Sequence, residues 1–259
     1  MRKPLSTPIL EKCIPWVLPV LLILGWSILS NTNVISRKIL PLPQDVLLSF
    51  RDLLLSGALI EHISISFQRA FTGFLIGGGI GFILGFINGL SSIAEKFLDT
   101  TIQMVRNVPH LAMIPLVVLW FGIGEESKIF LVAIGVLFPV YINTLHGIRS
   151  VDSGLIEMGK VYGLRPASLL WRVILPGALP SILVGLRYAL GIMWLTLIVS
   201  ETIATNSGIG FLAMNAREYM QTDIILLTIV LYALLGKLAD SIAKLLEKRL
   251  LQWNPNYHK

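Results

Sequence analysis

Long runs of apolar residues constrain the fold of this chain more than any other feature of its sequence. A helix needs about 20 mostly apolar residues to cross the hydrocarbon core of a bilayer. Runs of roughly that length lie at residues 14–29, 64–89, 102–122, 129–145, 182–203 and 224–238. The whole chain is 54% hydrophobic and 14% charged, which is more apolar than a soluble core of 259 residues can bury. We therefore predict an all-α integral membrane protein with six spans, forming a single domain over residues 1–259.

Positively charged residues precede the first apolar run, as they do in a secretory signal peptide. No small-residue cleavage site follows that run, so we interpret it as an uncleaved first span. Between the first two spans, apolar residues recur at helical spacing within residues 40–57, with charged residues between them. We expect an amphipathic helix there, lying on the membrane surface or on the helical bundle.

Glycine recurs every four residues along the second span, at Gly73, Gly77, Gly81, Gly85 and Gly89. Glycines at this spacing form a groove along a helix, and a neighbouring helix can approach closely there. The pattern does not indicate a dinucleotide-binding loop, because no strand precedes it and it lies inside a membrane-length apolar run. We predict that the row packs against another helix, either of this chain or of a second copy.

Prolines interrupt the third span, where Pro109 and Pro115 stand close to the polar residues Arg106, Asn107 and His110. A proline in a spanning helix frees backbone carbonyls that other helices or cavity water must satisfy. The span is therefore a candidate for lining a transport pathway. An interfacial arginine beside an ordinary kink explains the same residues equally well. His110 is either a contact for an anion or a neutral histidine that is hydrogen-bonded within the protein.

The fifth span carries further polar side chains, Trp194, Thr196 and Ser200, and ends near Glu201. A few hydrogen-bond donors beside apolar walls would suit a small organic anion, so these residues are a second part of the candidate pathway. For Trp194, Thr196 and Ser200, hydrogen bonding to a neighbouring helix is an equally good explanation. An ionisable residue at a membrane span is a functional candidate by default, although pairing of Glu201 with Arg217 at the interface is the alternative.

The longest polar interval between two apolar runs covers residues 152–180 and has a pattern of its own. Asp152 or Ser153 is suited to cap a short helix, and Gly163 would end that helix because glycine accepts a left-handed backbone. A second short helix can begin at Pro166 and must stop at Leu175 and Pro176. We predict a helix, a hinge and a helix outside the membrane, with apolar surface for a partner. An ordinary basic loop is the alternative.

Five residues of this interval stand in a recognisable order, a glutamate, a later glycine and then a hydrophobic-x-Leu-Pro group. They are Glu157, Gly163, Val173, Leu175 and Pro176. The order resembles the cytoplasmic signature of permease subunits of bacterial binding-protein-dependent ABC importers. The chain departs from the family pattern after the glutamate, where Met158 and Gly159 replace two expected alanines. The resemblance implies a six-span type I permease bundle whose loop fits a groove on an ATPase.

Much of the remaining chain is similar to the branch of that family that imports aliphatic sulfonates. The similar stretches are residues 98–123, 191–223 and 253–258. Near relatives in the family carry taurine, nitrate or bicarbonate. The resemblance implies a homodimer of this chain, two copies of a cytoplasmic ATPase coupled through the 152–180 loop, and an extracytoplasmic substrate-binding protein.

Charge indicates how the spans are oriented, because cytoplasmic segments of membrane proteins are enriched in lysine and arginine. With the amino terminus inside, 15 of the 21 lysines and arginines fall in inner segments and 6, Arg69 among them, in outer segments. We therefore expect both termini and the 152–180 loop in the cytoplasm of a bacterial cell, with the chain crossing the inner membrane several times.

The sequence lacks the common catalytic motifs. HExxH, GxSxG and a Gly-Lys-Ser/Thr phosphate loop are absent, and the four histidines are too scattered for a metal site. No basic cluster is interleaved with aromatic residues as a nucleic-acid surface requires. We predict no enzyme activity, cofactor or metal in this chain, with ATP hydrolysis on a partner. A polytopic membrane enzyme or scaffold is the competing class, but it would not explain the order from Glu157 to Pro176.

Overall fold

The computed structural model of the protein describes residues 8–32, 34–203 and 205–254. Helices account for all of the regular structure in these ranges. The α-helices are α1 (Pro8–Asn31), α2 (Pro43–Leu55), α3 (Ala58–Leu90), α4 (Ser92–Arg106), α5 (Ile114–Phe121), α6 (Glu125–Arg149), α7 (Ser153–Val161), α8 (Pro166–Leu169), α9 (Leu175–Glu201), α10 (Ile209–Glu218) and α11 (Thr222–Leu250). A 3-10 turn, His110–Met113, precedes α5, and a π-helical turn, Leu170–Ile174, joins α8 to α9.

The chain divides into two compact units, each of which is described by itself. The first comprises Met1–Glu61 and Leu212–Val230, and the second comprises His62–Phe211 and Leu231–Lys259. All of the candidate site residues named from the sequence belong to the second unit. The single domain expected over residues 1–259 stays a prediction.

In the first unit, side-chain hydrogen bonds tie the segment after α1 back onto that helix. The Trp26 indole donates to the Pro41 carbonyl at 2.8 Å, and the Ser30 hydroxyl donates to the Leu40 carbonyl at 2.8 Å. The chain then enters α2, where the Asp45 carboxylate accepts from the Leu42 amide at 3.0 Å. The amphipathic helix predicted within residues 40–57 is confirmed as α2.

Four of the described helices are long and apolar enough to cross a membrane. They are Ala58–Leu90, Glu125–Arg149, Pro166–Glu201 and Thr222–Leu250, which correspond to the second, fourth, fifth and sixth predicted spans. The apolar part of α1 over its described side chains, Val17–Asn31, is shorter. The all-α membrane fold is therefore confirmed, while the count of six spans stays a prediction.

The third predicted span was wrong in its limits. Instead of one kinked helix over 102–122, α4 and the helical segment His110–Phe121 meet at a bend of 76°. Helix α4 begins at Ser92, where the Ser91 hydroxyl caps it by accepting from the Ala94 amide at 3.2 Å. Pro109 explains the break, because the residue before a proline is driven out of helical conformation. Pro115 does not break a helix, since it lies in the first turn of α5 where its missing N–H is not needed.

The predicted stop at Leu175 and Pro176 was also wrong. Helix α8 passes through the π turn directly into α9, so that Pro166–Glu201 is one continuous helix. In the π turn the Leu175 amide donates to the Leu170 carbonyl, five residues back rather than four. This wider turn shifts the hydrogen-bond pattern just before Pro176. The proline therefore enters the helix at a first-turn position instead of ending it.

Helices α6 and α9 form the centre of the second unit. Their facing residues include Val132, Val136 and Val140 of α6 and Ala189, Met193 and Leu197 of α9, all of which are buried. Small residues allow the two backbones to approach, because a Cβ atom on Gly185 would lie only 2.5 Å from the Asn143 Cβ. Close packing of this kind takes the place of the hydrophobic driving force that is missing between helices in lipid.

Candidate functional sites

The segment after α6 has the helix and hinge expected from the sequence. The Asp152 carboxylate caps α7 by accepting from the Gly154 amide at 2.7 Å. Gly163 ends the helix with a φ of 74°, which confirms the left-handed turn. The Gly163 amide donates to the Lys160 carbonyl at 2.9 Å and the Leu164 amide to the Gly159 carbonyl at 3.0 Å. These two bonds form a Schellman cap, which fixes the direction of the chain as it leaves α7.

Helix α7 keeps an apolar surface exposed. Met158 is 50% exposed, Val161 86% and Tyr162 80%. We call the groove beside this surface the coupling groove; it measures about 420 Å³. Its lining residues are Leu155, Met158, Gly159, Tyr162, Leu164, Arg172, Val173, Pro176, Gly177 and Trp253. Exposed apolar side chains around a groove are typical of a surface that binds another protein.

The residues of the resemblance occupy different positions around this groove. Val173 and Pro176 line it, whereas Leu175 is half-buried beside it and Gly163 forms the turn. The Glu157 side chain is exposed, and within the described ranges no cation forms an ion pair with it.

The departure from the family pattern at Gly159 has a packing reason. Gly159 is buried, and a Cβ atom added to it would lie 2.6 Å from the Leu169 Cδ1 atom. The missing side chain therefore lets α7 pack closely against α8.

The structure brings together only two of the candidate pathway residues from different spans. The His110 Nε2 atom lies 3.2 Å from the Thr196 hydroxyl, with donor and acceptor roles that depend on the histidine tautomer. Gly135 lies beside this pair, because a Cβ atom on it would be 2.8 Å from the Thr196 hydroxyl. Arg106 and Asn107 are exposed at the end of α4, and neither makes a side-chain hydrogen bond to the described residues. The pair is therefore a polar contact between the bend before α5 and the carboxyl-terminal part of α9.

Two further candidates point into the protein interior. Trp194 is buried in the core of the second unit, and its indole N–H has no hydrogen-bond partner among the described residues. The Ser200 hydroxyl donates to the Leu197 carbonyl of its own helix at 2.9 Å. Both side chains contribute to packing in this structure.

Glu201 belongs to a buried ion network that the sequence did not predict. The Arg69 guanidinium donates to the Glu201 carboxylate at 2.8 Å and to the Glu125 carboxylate at 2.6 Å. Only 2% of the Arg69 side chain and none of the Glu201 side chain are exposed. The alternative pairing of Glu201 with Arg217 was wrong. An arginine inside an apolar run was the available signal for Arg69, because such a residue needs a partner within the bundle.

The same network holds the segment after α9. The Ser66 hydroxyl lies 2.8 Å from both Glu201 carboxylate oxygens and accepts from the Ile209 amide at 2.8 Å. The Gly210 amide donates to Glu201 at 3.0 Å. Gly208 adopts a φ of 105° in van der Waals contact with this carboxylate, where a side chain would overlap it. The beginning of α10, which the sequence did not predict, is fixed by these bonds.

The glycine row of α3 lies against α6 of the same chain. A Cβ atom added at any of the five positions would come within 3.0 Å of an α6 atom. The nearest groups belong to Val132 for Gly73, Ala133 for Gly77, Leu137 for Gly81, Tyr141 for Gly85 and Ile148 for Gly89. Gly79 lies on the same helix but off the row, and no atom is within 4 Å of its added Cβ.

Comparison with known proteins places this arrangement in a family. The family described as binding-protein-dependent transport system inner membrane component matches residues 77–252, which include α6, α9 and every lining residue of the coupling groove except Trp253. The chain belongs to this family. It is a permease, a transport subunit that crosses the inner membrane several times rather than a catalyst.

The relatives of this permease cover almost all of its length. It is 59% identical over 257 residues, 98% of each chain, to a protein of Escherichia coli K12 named as an aliphatic sulfonates transport permease, SsuC. It is 37% identical to the taurine transport system permease protein TauC of the same organism, over 92% of this chain and 88% of TauC. A crystal structure of an amino acid ABC transporter with histidines aligns with a TM-score of 0.63 at 20% identity, covering 78% of this chain and 96% of that one. The last similarity supports the fold alone.

Proposed function

We propose that this permease is the transmembrane subunit of an ABC importer that carries aliphatic sulfonates across the cytoplasmic membrane. The observation that carries the proposal is the 59% identity over 98% of both chains to the aliphatic sulfonates transport permease of Escherichia coli. The identity to the taurine permease is much lower, at 37%. Taurine, nitrate and bicarbonate are the alternative substrates within the same class.

The importer needs partners that hydrolyse ATP and deliver the substrate. We assign ATP hydrolysis to cytoplasmic ATPase subunits that dock at α7, with Glu157 pairing with a basic residue of the ATPase and Gly163 setting the angle of the loop. An extracytoplasmic substrate-binding protein delivers the sulfonate, and two copies of this permease form the pathway. The excess of lysine and arginine in the inner segments supports placing α7 and both termini in the cytoplasm.

The His110–Thr196 pair is the best candidate for a contact with substrate inside the membrane. A sulfonate carries a permanent charge at cellular pH, so it cannot cross hydrocarbon unaided and needs hydrogen-bond donors along its route. A site that is too tight would prevent release, and one hydroxyl with one imidazole provides few donors. Arg106 and Asn107 would meet the anion at an exposed end of the route. Trp194, Ser200 and Glu201 would hold α9 in position behind the pathway.

Growth on defined sulfur sources tests the substrate. We expect a strain that lacks the gene to stop growing on an alkanesulfonate as sole sulfur source and to grow normally on sulfate. Growth should return when the gene is supplied on a plasmid. If the mutant grows on the sulfonate but loses uptake of taurine, nitrate or bicarbonate, the importer class stands and the substrate is wrong.

Purification tests the class. We expect an ATPase subunit to remain bound when the permease is extracted in mild detergent and purified through a tag. A membrane enzyme or a scaffold would purify without an ATPase, and that result would contradict the importer assignment.

A further inference from the structure

The carboxyl-terminal turn of the chain returns to the coupling groove. Helix α11 ends at Leu250, and the next residue, Leu251, is only 1% exposed. The Leu251 amide donates to the Glu247 carbonyl at 2.9 Å, and the Asn254 amide donates to the Leu251 carbonyl at 3.0 Å. The turn that carries Trp253 is thus anchored by a buried side chain and by hydrogen bonds on both sides.

Trp253 forms one wall of the coupling groove and still leaves much of its surface free. The residue is 55% exposed, and it lines the groove together with side chains of α7 and of the π turn. A tryptophan offers a large apolar area with few rotatable bonds, which is why this residue type dominates the binding energy of many protein interfaces. The anchored turn therefore presents a rigid aromatic side chain beside the exposed face of α7.

The charges around the groove indicate what kind of partner it fits. Glu157, Lys160, Arg165 and Arg172 are all exposed, and none of them forms an ion pair with another described residue. An apolar centre with an unpaired polar rim is the usual anatomy of a protein–protein interface. Anionic lipid headgroups would match the three cations but would be repelled by Glu157. A protein surface with an apolar segment and charges of both signs fits all four.

We propose that Trp253 belongs to the ATPase docking surface, so that the carboxyl-terminal turn and α7 bind one apolar segment of the ATPase together. The proposal rests on the importer function proposed above, because it assigns the partner of the same loop. Continuity argues for a single occupant, since Trp253, Tyr162 and Val173 face one groove rather than separate surfaces. Docking then extends from the 152–180 loop to Trp253.

Binding of the ATPase to Trp253 variants tests this proposal. The ATPase that co-purifies with the wild-type permease is isolated and titrated onto each variant reconstituted in lipid nanodiscs. We expect Trp253→Ala to raise the Kd at least about tenfold and Trp253→Phe, which keeps an aromatic ring, to raise it about threefold or less. The matched control is Trp120→Ala, because Trp120 is 58% exposed but lies on α5 away from the groove. Its Kd should stay within about twofold of the wild-type value.

A photo-reactive side chain at position 253 identifies the occupant directly and does not depend on the stability of the alanine variant. Cross-linking to the added ATPase supports the proposal, and cross-linking to a second copy of the permease or only to lipid overturns it. A Trp253→Ala variant that binds the ATPase as tightly as the wild type also overturns it. If Trp253→Ala binds the ATPase normally but Gly163→Val still stops sulfonate uptake, the proposed function stands. If the wild-type permease binds no ATPase, the proposed function fails as well.

Discussion

Arg69 and Glu201 show how two charges are retained inside this helical bundle. Each is almost fully buried, and between them they bond to Glu125, Ser66 and the backbone that begins α10. A buried charge that loses its partner is strongly destabilising, because nothing then compensates for the lost hydration. The network therefore makes the first half of α3 and the end of α9 dependent on each other.

Neutralising the two carboxylates should have unequal effects. Glu201→Gln leaves Arg69 with one fewer charged partner in a buried site, and we expect a loss of about 3 to 5 kcal/mol of stability. Glu125→Gln should lose about 1 kcal/mol or less, because more than half of the Glu125 side chain, 55%, is exposed to solvent. Thermal unfolding of the two variants in detergent measures the difference. Equal decreases in Tm for the two variants would show that the buried Arg69–Glu201 pair contributes no more to stability than the partly exposed Arg69–Glu125 pair.

At the residue scale, the sequence identified Glu201 as a functional candidate but did not identify Arg69 as its partner. Arg69 and Glu201 are 132 positions apart, and no local pattern relates residues at that distance. The same reason applies to His110 and Thr196, which were both candidates but were not predicted to touch. Residue types that are costly in a membrane can be recognised from sequence, whereas their pairing depends on how the helices pack.

The contact between α3 and α6 is the clearest case in which an element could be predicted and its partner could not. Glycine spacing alone predicted a packing groove on the second span. The structure places that groove against α6, where the backbones come too close for any Cβ on the row.

Alanine substitutions on this helix should destabilise the protein on the glycine row but not off it. Gly81→Ala places a methyl group against the Leu137 carbonyl, so we expect a loss of about 1 to 3 kcal/mol. Gly79→Ala adds the same methyl group where the helix is open, and it should be neutral or stabilise by up to about 1 kcal/mol. Tm in detergent is the measurement. A destabilised Gly79→Ala with an unaffected Gly81→Ala would exclude the packing role of the row.

The Gly163 turn should couple the 152–180 loop to transport only if its backbone conformation is kept. Valine is strained at a φ of 74°, so Gly163→Val should abolish sulfonate uptake while the protein stays in the membrane. Gly163→Asn is the control, because asparagine tolerates this conformation and should retain much of the uptake. Transport by membrane vesicles and the amount of permease in them are measured together. Normal uptake by the valine variant would mean that the turn does not couple the loop to transport.

Prolines explain why two elements were predicted wrongly. A proline after a break and a proline in a first helical turn have the same local sequence signature, but only the first ends a helix. Pro109 follows a break between two helices, whereas Pro115 lies in the first turn of α5 and Pro176 lies in the first turn after the π turn of a continuous helix. The π turn before Pro176 has no signal in the sequence that distinguishes it from a stop.

For the molecule as a whole, hydrophobicity predicted the long helices well but placed the beginning of α4 poorly. Four apolar runs correspond to helices of spanning length, since burial in lipid needs only composition and length. Helix α4 was missed at its beginning because Ser92–Arg106 mixes apolar and polar residues, and a hydropathy pattern discounts such a helix. The coupling groove could not be predicted in full, because Trp253 reaches it only through the folded path of α11.

The orientation of the chain can be tested on one continuous helix. Pro166–Glu201 has 36 residues, which is about 54 Å at 1.5 Å per residue and longer than a bilayer core. Single cysteines at Ala167 and Asn206, in a Cys13→Ser background, lie just inside its beginning and just beyond its end, and both positions are exposed. Asn206 is preferred to Ser207, because the Ser207 hydroxyl accepts a hydrogen bond from Arg69.

The two cysteines should respond differently to a membrane-impermeant thiol reagent added to intact cells. Arg69 is buried in an ion network and so does not count as an outer charge, which strengthens the bias of lysine and arginine toward the inside. We therefore expect labelling at position 206 from outside and labelling at position 167 only after the cells are opened. Labelling of position 167 alone in intact cells would indicate the opposite topology and would place α7 outside the cytoplasm. Labelling of both positions would show that this helix does not span the membrane.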